Sequence, residues 1–404
     1  MSNCIIAQSG GPTSVINSSV VGLIHANKEL KAFDKVYGGL NGIEGILNKN
    51  IIDLSSKSDE EINTFRFTPS SGLGSCRYKL KDADKCSDEY NKLMSILVEY
   101  DIKAFFYVGG NDSMDTTAKL AKYAKENNID IKFIGIPKTI DNDLKYIDHT
   151  PGFGSAAKFI GTTALETYLD ASVYINNGIF ILETMGRDTG WLAASACTAK
   201  LNNKPVADFI YLPEVAFDKD KFLRDVKERF KENNKVYIIV SEGLRDKDGK
   251  FVSEFECVSQ DNFGHAQLGG VSGYLRNLIL SAGITTRVKA LELGILQRCA
   301  MHCASDTDLN EAYSVGEMAL RYAYEGETGK MVTIKRESNN PYKVSYSLVE
   351  ADKIANNVRY FPTEWINEEG NFVAEEAFEY FEPLINGTPV LNCEGNLPKY
   401  KVFN

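Results

Sequence analysis

The amino-acid sequence predicts an α/β protein with two doubly wound, mainly parallel sheets. Short apolar runs rich in β-branched and aromatic residues alternate with helical patterns of ten or more residues, which is typical of βαβ units. The apolar runs are nearly continuous, as expected for strands that helices cover on both faces. Such runs occur in both halves of the chain, so two sheets are expected, with ligands bound in the cleft between them.

The first half of the chain contains three strand–helix pairs. The predicted strands and the helices that follow them are CIIA with residues 15–30, AFFYV with residues 113–127, and IKFIGI with residues 153–169. The pattern continues with the strands IFILE, DFIYL and VYIIV. After about residue 330, MVTIKR and KVSYSLV predict two further strands, and a terminal helix is expected before residue 385.

Two interruptions of this alternation predict domain borders. PGFG begins at residue 151, and GILQR ends at residue 298. We therefore expect one domain to contain residues 1–150 together with about 297–404, and the other to contain residues 151–296.

Composition restricts the class of protein. The chain has 404 residues, of which 43% are hydrophobic and 25% charged, and these values are typical of a globular protein. No apolar run is long enough for a membrane helix, and no signal peptide precedes CIIAQSGGP, so a cytoplasmic protein is expected. A net charge of −10 argues against partners such as nucleic acids or anionic membranes.

The cysteines and histidines give no metal-binding pattern. The eight cysteines are scattered without a CxxC pair and are expected to be reduced thiols, with Cys299 and Cys303 buried. His149, His265 and His302 are isolated and are expected to be structural. GETGK, at 326–330, lacks the spacing of a P-loop and is expected to be an ordinary loop.

Three turns follow predicted strands, and the first two of them carry a Gly-Gly pair. They are QSGGPTS at 8–14, VGGNDSM at 108–114 and PKTIDND at 137–143. A glycine turn between a strand and a helix lets backbone N–H groups and the helix dipole approach a phosphate. A single turn of this kind is more often structural, but three turns at the strand ends of one sheet, two of them with aspartates, predict a phosphate cradle.

PKTIDND carries the groups that phosphoryl transfer requires. Asp141 and Asp143 alternate, so both point to one side of an extended segment, and Lys138 and Thr139 lie just before them. The reaction needs a base for the attacking hydroxyl, a carboxylate for Mg²⁺ and donors for the phosphate oxygens. From these seven residues alone, an exposed turn whose aspartates cap a helix remains an alternative.

GGNDSM, PKTIDND and MGRDTGW (185–191) together resemble the phosphofructokinase family in order and spacing, and the lysine in PKTIDND resembles its pyrophosphate-dependent branch. Further matches extend through most of the chain. They are SGGPTSVIN, YGGLNGIEGIL, SSGLGSCR, SEG, FGHAQLGG and GILQR.

The resemblance implies a role for each matching residue. Asp141 would be the general base on the sugar C1 hydroxyl, with Lys138 and Thr139 at the reacting phosphates, and Asp143, Asp112 and Asn111 would hold Mg²⁺. The residues implied for the phosphoryl donor, in the domain of residues 1–150, are Gly10, Gly11, Arg77, Gly109, Gly110, Asp112 and Ser113. Those implied for the sugar phosphate are Thr139, Asp141, Asp143, Met185, Gly186, Arg187, Glu242, Arg287 and Arg298.

Asp112 and Lys138 bear on the identity of the donor. Family members that use ATP resemble this sequence but have glycine at both positions, which leaves room for the α-phosphate of the nucleotide. A carboxylate at Asp112 would repel that phosphate, and an ammonium at Lys138 would neutralise the compact charge of pyrophosphate. A purely structural Asp112–Lys138 ion pair is the alternative, and it would also narrow a nucleotide site.

Three positions depart from the family pattern. Asn111 stands where the family usually has aspartate, so its attraction for Mg²⁺ is weaker. Gly178 and Ile295 stand where the family has an arginine and a histidine of the sugar-phosphate site. Arg287 or Lys289 is the candidate replacement cation. A neighbouring subunit contributes to this pocket in the family, so a homodimer or homotetramer is expected.

The resemblance implies a phosphotransferase that converts pyrophosphate and fructose 6-phosphate to fructose 1,6-bisphosphate and phosphate, reversibly, in glycolysis and gluconeogenesis. The nearest alternatives use ATP as donor, or another acceptor such as sedoheptulose 7-phosphate. A non-catalytic sugar-phosphate-binding subunit is disfavoured because Asp141 and Arg187 are both present. A NAD or lipid kinase is disfavoured by PKTIDND together with MGRDTGW.

Overall fold

The structure is a computed structural model and describes residues 2–84, 87–175, 178–253 and 270–403. Its strands are β1 (Asn3–Gln8), β2 (Val36–Gly39), β3 (Ile51–Asp53), β4 (Ile102–Gly109), β5 (Lys132–Pro137), β6 (Ile179–Thr184), β7 (Lys200–Leu201), β8 (Lys204–Pro205), β9 (Phe209–Tyr211), β10 (Val236–Ser241), β11 (Val288–Glu292), β12 (Lys330–Asn339), β13 (Tyr342–Glu350), β14 (Cys393–Glu394) and β15 (Leu397–Pro398).

The α-helices are interspersed among these strands. They are α1 (Ile16–Leu30), α2 (Gly42–Leu47), α3 (Asp59–Arg66), α4 (Ser87–Glu99), α5 (Asn111–Glu126), α6 (Phe153–Ala171), α7 (Trp191–Ser195), α8 (Lys219–Asn233), α9 (Val271–Ser281), α10 (Leu296–Cys299), α11 (Asp306–Tyr324), α12 (Ala351–Ile354) and α13 (Glu375–Phe381). Short 3₁₀ turns lie at Ala196–Thr198, Met301–Cys303, Thr363–Trp365 and Glu382–Ile385.

The larger sheet has seven strands within the described residues, in the order β13-β12-β5-β4-β1-β2-β3. Its five central strands are parallel, and β3 and β13 join the two edges in the antiparallel direction. The central strands are buried on both faces because helices cover them; in β4, for example, every residue except Lys103 is buried. The parallel strands therefore end at one edge of the sheet, where their following turns meet.

The smaller sheet is wholly parallel in the described part of the chain, in the order β11-β6-β10-β9. Its central strands β6 and β10 are completely buried, whereas β11 is an edge strand with four of its five residues exposed. The two sheets confirm the predicted fold class. The larger sheet takes its strands from residues 3–137 and 330–350 and the smaller sheet from residues 179–292, while the domain borders near residues 150 and 297 stay predictions.

The C-terminal segment packs against the smaller sheet. Phe361 and Phe381 belong to the same buried cluster as Phe153, Trp191 and Leu182. The predicted strands MVTIKR and KVSYSLV are present as β12 and β13, and the predicted terminal helix is present as the shorter α13. The C-terminal segment thus runs from the larger sheet back to the start of α7.

The predictions for GETGK, the histidines and the cysteines have different outcomes in the structure. GETGK is a loop up to Lys330, where β12 begins. His149 is buried, whereas His302 is exposed, and FGHAQLGG up to residue 269, with His265, lies outside the described residues. The predicted burial of Cys299 and Cys303 is wrong: both are partly exposed, because α10 has only four residues and Met301 is the side chain that points inward.

Candidate active site

The carboxyl ends of strands from both sheets converge on one crevice. Gly10 and Gly11 follow β1, Gly109 ends β4 and Gly110 follows it, and Lys138 follows β5. From the smaller sheet, Met185, Gly186 and Arg187 follow β6, Glu242 follows β10 and Arg298 comes shortly after β11. These are the segments that sequence motifs predicted, and their meeting is a consequence of the parallel strand order in each sheet.

Lys138 is buried against the first glycine turn. Its side chain is 3% exposed, and Nζ donates a hydrogen bond to the carbonyl oxygen of Gly11 at 2.6 Å. A Cβ on Gly10 would lie 3.4 Å from this Nζ, and one on Gly11 would lie 3.2 Å from Nη1 of Arg298. Two cations from different sheets therefore border a turn that carries no side chains.

Burial also changes the protonation of Lys138. Removal from water lowers its pKa to about 8, and Asp141 opposes this change by favouring the ammonium form. The Nε atom of Arg298 has no hydrogen-bond partner among the described residues, although it is buried. The crevice thus has unsatisfied positive character that is suited to a phosphate.

Asp141 lies at the centre of these groups. Its backbone N–H donates to Oγ1 of Thr139 at 3.1 Å, and its carbonyl oxygen accepts from Oγ1 of Thr189 at 3.2 Å. Removal from water raises the pKa of its carboxyl, and the nearby Arg187 and Lys138 oppose that rise. The carboxylate is therefore a stronger base than an exposed aspartate, while the two cations favour its charged form.

Asp143 and Asn111 face each other across the start of α5. Burial and the neighbouring Asp141 raise the pKa of Asp143 to about 7. The neighbouring carbonyl oxygens determine the orientation of the Asn111 amide: its nitrogen donates to those of Ile354 and Asn357, at 2.8 and 3.1 Å. Its oxygen then occupies the position 3.3 Å from Oδ2 of Asp143.

Two facing oxygens repel each other unless a proton or a cation lies between them. Asp143 and Asn111 therefore fit a divalent cation that takes one or two protein oxygens and completes its coordination with substrate phosphates and water. Among the residues that the structure describes, no group of three or more Asp, Glu, His or Cys side chains is arranged for a metal. The chain alone thus offers a partial coordination set.

The donor-side turns are held together by side-chain hydrogen bonds. Oγ of Ser113 donates to Oγ of Ser9 at 3.0 Å, and Oγ of Ser75 donates to the carbonyl oxygen of Gly10 at 2.7 Å. The second bond brings the SSGLGSCR segment, with the exposed Arg77, beside the first turn. Asp112 and Lys138, both described, form no ion pair with each other, so the structural ion-pair alternative is not supported.

The other wall of the crevice is formed by MGR and SEG. The backbone N–H of Gly186 donates to Oε1 of Glu242 at 3.2 Å, and Oγ of Ser241 donates to the carbonyl oxygen of Gly186 at 2.6 Å. A Cβ on Gly243 would lie 2.1 Å from the carbonyl oxygen of Arg187, so only glycine allows these two segments to meet. Burial and then Asp141 raise the pKa of Glu242 to about 7.

Arg287 does not lie with the other predicted residues. It is exposed just before β11, at the amino end of that strand, and its guanidinium lies 5.2 Å from the ring centre of Tyr174. Gly178 is beside it, since a Cβ on Gly178 would lie 2.2 Å from the Arg287 carbonyl oxygen. Met185 is at the opposite end of the six-residue strand β6, about 20 Å away. Arg287 therefore cannot reach the crevice of its own chain.

Sequence patterns missed one group at this site. Arg359, in the C-terminal segment, donates its backbone N–H to the carbonyl oxygen of Asp143 at 2.8 Å, and its guanidinium lies 4.5 Å from the ring centre of Trp191. RYFP contains no motif that indicates a site, and Arg359 reaches PKTIDND only through the folded chain.

The arrangement has the chemical groups for phosphoryl transfer. Burial raises the pKa of the Asp141 carboxyl, and Arg187 of the MGR wall and Lys138 beside the first glycine turn both favour its charged form. The anionic transition state of such a transfer is stabilised mainly by positioned cations and N–H groups. Among the helices of the described residues, none is long and apolar enough to span a membrane.

Comparisons with known proteins agree with this chemistry. The sequence pattern of the family described as Phosphofructokinase matches residues 3–320. The chain is 39% identical to a pyrophosphate–fructose 6-phosphate 1-phosphotransferase of Halomonas elongata over 400 residues, covering 98% of this chain and 95% of that protein. It is also 39% identical to a protein of the same name from Xanthomonas campestris over 401 residues, covering 98% and 95%.

A solved structure leads to the same family. The pyrophosphate-dependent phosphofructokinase of Nitrosospira multiformis matches with a TM-score of 0.88 and 35% identity, covering 99% of this chain and 95% of that chain. The match includes the C-terminal segment as well as both sheets, since it covers nearly the whole chain. By its sequence pattern, its relatives and its fold, the chain belongs to the phosphofructokinase family.

Proposed function

We propose that this phosphofructokinase transfers a phosphoryl group from pyrophosphate to the C1 hydroxyl of fructose 6-phosphate. The observation that carries the proposal is the buried Lys138 ammonium inside the glycine turn after β1, next to Asp141. An ammonium at this point occupies space and supplies charge that suit a compact diphosphate better than a nucleotide triphosphate. The relatives at 39% identity bear the name of this activity.

Asp141 is proposed to act as the general base. It accepts the proton of the C1 hydroxyl, whose oxygen attacks one phosphorus atom of pyrophosphate in line with the bridging oxygen. The bond from that phosphorus to the bridging oxygen breaks, and inorganic phosphate leaves. Lys138, Arg298 and the N–H groups of the glycine turns are positioned to neutralise the charge that spreads over the equatorial oxygens.

Mg²⁺ is the proposed cofactor, and it would supply charge neutralisation between the phosphoryl oxygens. Asp143 and the Asn111 amide oxygen would hold it from the protein side, with Asp112 at the next position of the same turn. The raised pKa of Asp143, about 7, supports this role, because a bound cation would offset the repulsion between Asp143 and Asp141. Thr139 would donate to a phosphate oxygen in addition to accepting from Asp141.

The sugar phosphate is proposed to lie against Met185, Gly186, Arg187 and Glu242, with Arg298 at the boundary to the donor. Glu242 would accept hydrogen bonds from sugar hydroxyls, and Arg187 would pair with the phosphate ester. A sugar phosphate bound in this way would have its C1 hydroxyl near Asp141, since Arg187 is close enough to favour the charged form of that carboxyl and so oppose the rise in its pKa.

We further propose a cytoplasmic homodimer or homotetramer in which Arg287 completes the acceptor site of a neighbouring chain. Arg287 is exposed at the edge strand β11 and is too far from its own crevice. The arginine and the histidine that the family has at its sugar-phosphate site are replaced here by Gly178 and Ile295. Gly178 lies directly before β6 of the smaller sheet, and Ile295 lies in the segment after β11. A cation supplied by a second copy would restore the lost charge.

Phosphorus NMR of the reaction mixture tests the proposed reaction. Purified protein with fructose 6-phosphate, Mg²⁺ and pyrophosphate should produce fructose 1,6-bisphosphate and inorganic phosphate in a ratio of one to one. The phosphate bond that is broken in pyrophosphate and the ester bond that is formed on the sugar have similar free energies of hydrolysis. Addition of phosphate to fructose 1,6-bisphosphate should therefore regenerate pyrophosphate. Hydrolysis of pyrophosphate without sugar phosphorylation, or a strictly one-way reaction, would contradict the proposal.

A further inference from the structure

The guanidinium of Arg359 is enclosed by the loop that carries the two central aspartates. Nη1 donates to the carbonyl oxygen of Ile147 at 2.7 Å and also to that of Asp148. Nε and Nη2 both donate to the carbonyl oxygen of Asn142, at 3.2 and 2.9 Å. One side chain therefore fixes three carbonyl groups between residues 142 and 148, in addition to the backbone bond from Arg359 to Asp143.

The loop needs such a partner because its backbone turns sharply between the aspartates. Asn142 has a φ of 55°, is fully buried and lies between Asp141 and Asp143. Its side chain donates to Oη of Tyr380 at 3.0 Å and accepts from the backbone N–H of Thr150 at 3.0 Å. The side chain of Asn142 is occupied in this way, and its carbonyl oxygen accepts from the Arg359 guanidinium at a point between the two aspartates.

Arg359 also connects this loop to the sugar-phosphate wall. Its guanidinium lies over the ring of Trp191 at 4.5 Å, and Nε1 of Trp191 donates to the Arg359 carbonyl oxygen at 3.0 Å. Glu214 joins the same segments, since its Oε1 accepts from the backbone N–H groups of both Gly190 and Phe361. The C-terminal segment thus fixes the position of the 141–148 loop relative to the segment that follows Arg187.

We propose that Arg359 is a positioning residue for the phosphoryl transfer: it holds the 141–148 loop and Trp191 together so that the Asp141 carboxylate meets the C1 hydroxyl of the bound sugar. This inference rests on the proposed function. The residue lies beyond residue 320, where the family match ends. A planar fork of five N–H donors satisfies several carbonyl groups at fixed angles, and a lysine ammonium cannot reproduce that geometry.

The geometry predicts an effect on the rate of the chemical step. A displacement of about 1 Å at a reacting group costs on the order of a hundredfold in rate, even when binding is retained. Arg359→Lys keeps the charge and loses the fork, so kcat should fall at least about tenfold. The KM values for pyrophosphate and fructose 6-phosphate should stay within about twofold, because Arg359 is not among the proposed substrate contacts.

Arg336→Ala is the matched control. Arg336 contacts two of the same residues, through Oδ1 of Asp148 at 3.0 Å and the carbonyl oxygen of Tyr380 at 3.0 Å, and its guanidinium lies 4.5 Å from the Tyr380 ring centre. Unlike Arg359, it contacts none of the carbonyl groups at residues 142–148. Its loss should lower the melting temperature with little change in kcat.

Steady-state kinetics and melting temperatures of wild type, Arg359→Lys, Arg359→Ala and Arg336→Ala test the proposal. The expected result is a fall in kcat specific to the Arg359 variants, partly restored for Arg359→Ala by about 20 mM guanidinium and not by urea at the same concentration. An equal loss of kcat in Arg336→Ala and Arg359→Lys at a temperature where both are folded would overturn it. So would unchanged kcat in the Arg359 variants.

Hydrogen exchange separates this proposal from the proposed reaction. If wild type were inactive with pyrophosphate, the reaction would be wrong, but the positioning role would still predict faster exchange of amides in 140–150 and 187–191 for Arg359→Lys than for Arg336→Ala. Equal exchange in the two variants would overturn the positioning role. The assay requires only folded, full-length protein.

Discussion

The ammonium of Lys138 hydrogen-bonds to the carbonyl oxygen of Gly11 at 2.6 Å, so a cation from the end of β5 lies within the turn that follows β1. Lys138 and Asp112 form no ion pair with each other in the described structure. The bond to a neutral carbonyl leaves the positive charge of the ammonium without a carboxylate in direct contact. An anion bound at this turn would meet that charge directly.

The charge of Lys138 should control the alkaline limb of the pH profile. Burial lowers its pKa to about 8, so the ammonium is present below that pH and is lost as the pH rises through it. We expect kcat/KM for pyrophosphate to fall above about pH 8. In Lys138→Arg the limb should move beyond pH 10, because arginine stays protonated. The same limb in both proteins would assign it to another group.

The carboxylate of Asp141 should be required for turnover. Asp141→Asn preserves the size of the side chain and removes its basicity, so kcat should fall by at least about a hundredfold, in line with the loss of a general base. The KM for fructose 6-phosphate should change little, since the proposed sugar contacts remain. Lys122→Met, on an exposed position of α5, is the control and should have wild-type kinetics. Near-normal turnover of Asp141→Asn would remove it from the role of base.

Subunit mixing should reveal whether Arg287 acts on a neighbouring chain. Arg287→Ala and Asp141→Asn are each expected to be nearly inactive at low fructose 6-phosphate. A mixed dimer of the two would contain one site with both substitutions and one site with neither, so co-refolding should restore part of the activity. Absence of any restoration, with mixed dimers demonstrated, would contradict a shared site. A mixture of Asp141→Asn and Lys138→Met, which both alter the same chain's crevice, should restore nothing.

The fold could be predicted from the sequence because its signals are local. CIIA, AFFYV and IKFIGI are strands in the structure, and each ends at the turn predicted for it, with a Gly-Gly pair after the first two. The same reasoning failed for Cys299, where a four-residue helix has no periodicity from which to infer an inward face. Local sequence patterns predict which segments form strands more reliably than they predict which side chain of a short helix is buried.

The site could be predicted only where its residues lie in motifs. Lys138, Asp141 and Arg187 are close in the structure because each follows a parallel strand, which is a property of the fold class. Arg359 was missed because its bond to Asn142 joins residues 217 apart, and no pattern near either residue indicates the other. Arg287 lies at the amino end of β11, away from the crevice of its own chain, and sequence spacing alone does not specify direction relative to the crevice.

Protonated His149 should stabilise the fold at neutral and acidic pH. Its ring nitrogens contact Oδ1 of Asp148 at 2.7 Å and Oε2 of Glu311 at 2.6 Å. Burial alone would lower its pKa, but the two carboxylates outweigh burial and raise it to about 9. Because the folded pKa is above the unfolded value of about 6.5, the stabilisation is complete below pH 6.5 and is lost as pH rises through about 9.

Urea unfolding at several pH values checks this prediction. His149→Gln should reduce the free energy of unfolding at pH 6.5 more than at pH 9.5, so the curves of wild type and variant should converge with rising pH. The exposed His302 provides the control, since His302→Gln should parallel wild type throughout. A constant difference between wild type and His149→Gln over this pH range would show that His149 contributes by packing and not by charge.

Initial rates with pyrophosphate and with ATP, at matched concentrations of fructose 6-phosphate and Mg²⁺, identify the phosphoryl donor. We predict that kcat/KM for pyrophosphate exceeds that for ATP by about a hundredfold or more, and that replacing Asp112 and Lys138 together with glycine narrows this ratio. A wild-type preference for ATP would contradict the proposed roles of Lys138 and Asp112.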